Sequence, residues 1–233
     1  MKTALITGGN KGIGFSTAKA LGKKGWHVVI GVRSESNVKA ALADLQKAGV
    51  DDAAFVILDL SQPETINQAS ETIKNNFSDI NLLINNAGIP GNMSDSNLSI
   101  TEDSLRQTME VNFFGTFQLS QQLLQVLERN NGRIINITIP TAANPAWNPI
   151  AYKASKAAQN VMMDSWAIDF EKIHSSMEIF SVHPGPTTTD LNGNTEMPGF
   201  HTADNVAGKI TEIIEDNNTH NGEFIEIYSE LKG

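Results

Sequence analysis

Short apolar runs rich in branched residues alternate with helical patterns from one end of this chain to the other. The strand-like runs are 2–6, 26–32, 53–58, 80–84, 133–139, 177–182 and 223–227, and helical stretches lie near 12–23, 35–48, 63–77, 101–129, 150–172 and 203–215. A run such as His27-Val28-Val29-Ile30-Gly31-Val32 lacks polar alternation, so it suits a strand covered on both faces. Strand–helix alternation with right-handed crossovers predicts an α/β fold: an open, doubly wound parallel sheet of about seven strands with helices on both faces. No linker-like stretch divides the 233 residues, so 1–233 is expected to form a single domain. Ser34, Thr101 and Thr202, each followed by acidic residues, predict helix N-caps.

Ligands of such sheets sit beyond the carboxyl ends of the strands, which directs attention to the residues there. The first strand runs into Thr7-Gly8-Gly9-Asn10-Lys11-Gly12-Ile13-Gly14 and then into a helix. Gly8 can take angles forbidden to side chains, Gly12 lets the main chain approach a ligand, and Gly14 lets the helix pack closely. With the helix N–H groups facing outward, this is a seat for a pyrophosphate, although a plain tight turn needs similar glycines. After the second strand stand Val32 and Arg33, with no acid to hold ribose hydroxyls. Arg33 can pair with a 2′-phosphate and Lys11 adds a second cation, which favours NADP(H) over two merely solvated charges. Asp59 after the third strand could accept from an adenine amino group or cap the next turn. The small residues of Asn85-Asn86-Ala87-Gly88 let a flat ring or ribose lie close. Tyr152 and Lys156, four apart on a helix, share one face, where an ammonium would favour the phenolate. Alone, such a pair also occurs by chance.

Composition narrows the partners. A formal net charge of −9 argues against nucleic acid, which needs clustered Lys and Arg. The absence of cysteine excludes disulfides, thiolate metal sites and cysteine nucleophiles. No segment has the length of a membrane span and no apolar leader precedes the first strand, so a soluble, cytoplasmic protein is expected. The five histidines are scattered without metal-ligand spacing, and no metal is expected.

Taken together, these segments resemble the short-chain dehydrogenase/reductase family over nearly the whole chain. The resemblance rests on Thr7-Gly8-(x)3-Gly12-Ile13-Gly14, Asp59, Asn85-Asn86-Ala87-Gly88, Asn112 within Val111-Asn112-Phe113-Phe114-Gly115, Tyr152-(x)3-Lys156 and Pro184-Gly185. The opening segment, with Arg33, is most similar to NADPH-dependent carbonyl reductases. The resemblance implies a Rossmann-type fold and an oxidoreductase that moves hydride between NADP(H) and a small carbonyl or alcohol substrate. It implies catalytic roles for Tyr152 as proton donor or acceptor, Lys156 on the nicotinamide ribose, and Asn112 fixing a water that relays protons toward Lys156. Cofactor contacts would come from Gly8, Asn10, Lys11, Gly12, Ile13, Gly14, Arg33, Asp59, Leu60, Asn86, Ala87, Gly88, Tyr152, Lys156, Pro184, Gly185, Thr187 and Thr189.

One position departs from the family pattern. Where Asn-Ile-Ser-Ser would place a catalytic serine thirteen residues before the tyrosine, Asn136-Ile137-Thr138-Ile139 puts Ile139, which has no donor. Thr138 should face away by strand parity, whereas Thr141 lies past Pro140, where a kink could turn its hydroxyl inward. Thr141 is therefore the preferred substitute. Without one, a feeble reductase or a dinucleotide-binding sensor with little turnover is expected. Residues 186–203 have the composition of a substrate lid, and Trp147 could wall the pocket or merely pack its loop. Apolar residues on several faces of 101–129 and 150–172 (Phe113, Phe114, Phe117, Met162, Met163, Trp166) predict a homodimer or homotetramer.

Overall fold

A computed structural model describes residues 2–93, 96–145 and 147–230. In chain order the elements are β1 (Thr3–Thr7), α1 (Gly12–Lys23), β2 (His27–Val32), α2 (Glu35–Lys47), β3 (Ala53–Ile57), α3 (Pro63–Asn76) and β4 (Ile80–Asn85). Then come α4 (Glu102–Met109), a π-helical turn (Glu110–Phe114), α5 (Gly115–Arg129), β5 (Arg133–Ile137), α6 (Ile150–Lys172) and β6 (Glu178–His183). The chain continues through β7 (Thr187–Thr188), β8 (His201–Thr202), α7 (Ala203–Glu215) and β9 (Phe224–Glu226). Seven strands form one sheet in the order β3-β2-β1-β4-β5-β6-β9, and its pairings are all parallel.

Both faces of the sheet are covered, which is why its strands read as unbroken apolar runs. Ala4, Ile6, Val28, Ile30 and Ile135 pack with Leu21 of α1, Leu45 of α2 and Ile210 of α7. Their strand neighbours Leu5, Val29, Leu83 and Ile134 point the other way, onto Ile73 of α3, Leu123 of α5 and Met163 of α6. The order reverses direction between β1 and β4, so the carboxyl ends of these two strands open a crevice. The glycine turn and Asn85–Gly88 lie at that crevice.

Some expectations are refined. The 101–129 stretch is α4, a π-turn and α5, because Asn112 turns inward to bond the main chain of Ile89, donating to its carbonyl at 2.9 Å and accepting from its N–H at 2.8 Å. β5 ends at Ile137, although Thr138 still donates its N–H to Val182 O at 3.0 Å before Pro140 ends any further pairing. Thr101 and Thr202 accept from Ser104 N and Asn205 N as N-caps. Ser34 holds the N-cap position of α2 without a side-chain cap bond, its hydroxyl being engaged with Ser36 and Asn37. Within the stretch read as a lid, β7 and β8 pair in parallel, a contact too short to show as a sequence pattern. No described helix is long and apolar enough to cross a membrane.

Candidate active site

The glycine turn is built as a receptacle for main-chain contacts. Gly8 and Gly12 have φ of +65° and +56°, the left-handed region where side chains are strained. A Cβ on Gly14 would come within 2.4 Å of Asn86 Nδ2 and 2.6 Å of the Gly8 carbonyl, so only glycine lets α1 start against the end of β4. Thr7 ties the two strand ends together: its hydroxyl accepts from Asn86 N at 3.0 Å and Ala87 N at 2.9 Å. Asn86 Nδ2 in turn donates to Thr7 O at 2.8 Å. Helix α1 has no side-chain cap from Lys11 and no acid in its first turn, which leaves its N-terminal dipole uncompensated. Asn10 and Ile13 flank the turn half-buried. Such an end fits an anion.

Other expected contacts gather around it. Arg33 is exposed just past β2, whose Gly31 carbonyl accepts from Gly8 N at 2.9 Å. Thr189 lies over Gly12, its Cγ2 3.5 Å from where a Cβ would be, so the segment from Pro184 onward folds back against the turn. Lys11 Nζ meets Asp190 Oδ2 at 2.9 Å and holds that carboxyl below its usual range. Thr187 is buried and donates its hydroxyl to Gly185 O at 3.1 Å. Asp59 Oδ1 accepts from Ser61 N at 2.9 Å and from the Ser61 hydroxyl at 2.7 Å, the capping alternative. Leu60 turns its side chain into the core, which leaves main chain alone to meet a ligand.

Tyr152 and Lys156 share the inner face of α6. Lys156 is 2 % exposed, and its Nζ donates to Ile137 O at 2.8 Å and to Gln159 Oε1 at 3.1 Å. An ammonium has three protons, so one remains for a ligand hydroxyl. The Tyr152 ring lies 5.8 Å from Lys156 Nζ, and Trp147 meets it edge-on at 5.7 Å. Burial pushes the phenol up to about 12 and the ammonium down to about 7. The expected lowering of the phenol by its neighbour is therefore reversed here: desolvation outweighs an ammonium that is itself partly discharged. At neutral pH Tyr152 keeps its proton. Its hydroxyl donates no hydrogen bond among the described residues, which leaves that proton available.

Asn112 is fully buried, and its side chain is consumed by Ile89 and by Ser155 Oγ, 3.0 Å away. Its main-chain carbonyl accepts from Gln159 Nε2 at 2.5 Å, so a side-chain amide spans the gap to Lys156. Gln159 carried no sequence signal, since an amide inside a helix matches no pattern. Thr138 is buried with an unpartnered hydroxyl, and Thr141 is exposed on the loop after Pro140. Ile139 is half-buried, and its carbonyl accepts from Asn160 Nδ2 at 3.1 Å. Asn97 also escaped notice: it donates to Asn148 O at 2.7 Å and accepts from Ile150 N at 3.0 Å, pinning the start of α6.

Comparison with known proteins agrees with this geometry. A family model described as short chain dehydrogenase matches residues 2–198. The short-chain dehydrogenase anuI of Penicillium roqueforti is 30% identical over 205 residues, covering 81% of this chain and 80% of the relative. Human 17-beta-hydroxysteroid dehydrogenase type 2 is 30% identical over 197 residues, 84% of this chain but 50% of that longer protein. Among solved structures, a short chain dehydrogenase from Burkholderia cenocepacia in complex with NADP superposes with a TM-score of 0.82 at 27% identity, covering 97% of this chain and 95% of its own. An alcohol dehydrogenase from Thermococcus sibiricus complexed with 5-hydroxy-NADP shares the fold, with a TM-score of 0.85 at 23% identity and coverage of 97% and 95%. A matched family model across most of the length, on a sheet and turn of this design, establishes that the chain belongs to the short-chain dehydrogenase/reductase family.

Proposed function

We propose that the protein is an NADPH-dependent oxidoreductase that interconverts a small carbonyl compound and its alcohol, slowed by Ile139. The observation that carries this reading is the Tyr152–Lys156 pair: a neutral phenol with an undonated proton, one helical turn from a buried lysine whose ammonium form has a spare N–H. When bound, the reduced nicotinamide supplies the hydride. Gly8, Gly12 and the N-terminus of α1 would hold the pyrophosphate, with Thr189 closing over it. Asn86, Ala87 and Gly88 would line the path of the ribose and ring, and Pro184 to Thr187 would border the nicotinamide. Lys156 would direct its third proton to a ribose hydroxyl. Tyr152 would give its proton to the substrate oxygen as negative charge develops there. Thr141 would be the hydroxyl that polarises that oxygen, and Trp147 would form an apolar wall beside the phenol. Residues 186–203 would act as the lid.

Arg33 supports the choice of NADPH, since Lys11 is already occupied by Asp190. Replacing it by alanine is expected to weaken NADPH binding about tenfold, an exposed ion pair being worth little more, and to leave NADH unchanged. Titration of nicotinamide fluorescence with each nucleotide checks this; an equal loss for both would remove Arg33 from the 2′-phosphate.

Ile139 favours a second reading, a dinucleotide-binding sensor with little turnover. NADPH consumption against aldehydes, ketones and diketones separates the two. We also propose self-association through α5 and α6. Phe113, Phe117, Val161 and Trp166 border an apolar depression of about 470 Å³, and Val161 is 63 % exposed. Light scattering should give a dimer or tetramer; a monomer at micromolar concentration contradicts this.

A further inference from the structure

The geometry points to Gln159 as a positioning residue that sets the charge on Lys156 by aiming its amide oxygen at the ammonium. This deepens the enzymatic reading above and rests on Lys156 serving Tyr152. The argument starts from the π-turn. In a regular helix the Asn112 carbonyl would be taken up along the axis, but the wider turn at 110–114 displaces the ladder, with Gly115 N reaching Glu110 O. The Asn112 carbonyl is then met from the side by Gln159 Nε2 at 2.5 Å. A carbonyl can only accept, so the NH2 end of the amide must face Asn112. The oxygen end must therefore face the other way, where Lys156 Nζ lies at 3.1 Å. Gln159 is fully buried, so neither end can turn to water. The π-turn thereby fixes the polarity of a dipole pointed at the amine.

The effect is large because little else supports the charge. β5 presents the neutral Ile137 carbonyl at 2.8 Å, and the π-turn presents Asn112 and, on its exposed side, Glu110. On α6 the titratable neighbour is Tyr152. From β6, His183 meets Thr138 O at 3.3 Å, its ring against Tyr228, and Glu226 of β9 acts on that histidine. No carboxylate is paired with Lys156 among the described residues, so a single amide oxygen is one of two acceptors opposing desolvation. Lys156 sits at about 7, close enough to working pH for that oxygen to decide its charge.

The test is the titration of Lys156 itself in the cofactor-free protein, read from side-chain NMR of labelled lysine and assigned with Lys156→Met. Gln159→Met keeps length and removes the acceptor, and should lower the Lys156 midpoint by about one pH unit. Gln159→Glu places a carboxylate there and should raise it by at least as much. Midpoints moving in opposite directions support the assignment. Both unchanged, or both moving the same way, overturn it, since altered packing alone gives no sign reversal. If only one variant folds, an unchanged midpoint or a shift opposite to the one expected for it overturns the assignment. This readout needs no turnover, so an inactive protein would sink the enzymatic reading and leave the Gln159 result standing.

Discussion

Tyr152→Phe is expected to cut the rate of carbonyl reduction by about 10²–10⁴-fold while NADPH binding changes little. The substitution removes one oxygen that donates no hydrogen bond among the described residues, so it leaves no partner stranded. The ring that packs edge-on against Trp147 remains, and the thermal midpoint should stay near that of the parent. On the proposed function, the reaction would lose the acid that neutralises developing charge on the substrate oxygen. Steady-state reduction and nucleotide titration on the two proteins separate the loss of chemistry from a loss of binding. A direction follows from the same residue. With the phenol pushed up to about 12, its protonated form dominates at neutral pH, which suits reduction. Alcohol oxidation needs the phenolate, so its rate should climb as pH rises toward the phenol's pKa.

Ile139→Ser is expected to raise turnover by about 10²–10³-fold, the usual worth of one donor aimed at a developing oxyanion. The main chain there is held independently of the side chain, because Ile139 O accepts from Asn160 at 3.1 Å. The half-buried side chain costs about 1 kcal/mol to remove, which a folded domain tolerates. The comparison also locates any native substitute. If the parent is already fast and Ile139→Ser adds nothing, Thr141→Val should be the variant that slows it. Thr138 is the less favoured candidate for that role, because at 1 % exposure it is buried.

Much of this arrangement was legible because parallel strands buried on both faces need short apolar runs, and strand-end motifs mark the crevice directly. The turn at 8–14 and the pair on α6 fall where the sequence placed them. What stayed hidden depends on contacts distant in sequence. The π-turn exists because Asn112 satisfies Ile89, 23 positions earlier, yet Val111-Asn112-Phe113-Phe114 reads as ordinary helix. Gln159 acquires meaning only through the carbonyl that this turn exposes. The pairing of β7 with β8 spans two residues per strand, too few for any period. The direction of the Tyr152 shift was misjudged for a related reason: adjacency on a helix is visible in a sequence, whereas the depth at which both groups lose water is not.

The most direct measurement is NADPH consumption by the purified parent and by Ile139→Ser across aldehydes, ketones and diketones, with alcohol product quantified alongside. The account predicts NADPH oxidation matched by alcohol formation, slow in the parent, faster in the variant and abolished by Tyr152→Phe. Saturable NADPH binding with no oxidation by either protein on any of these substrates would contradict it.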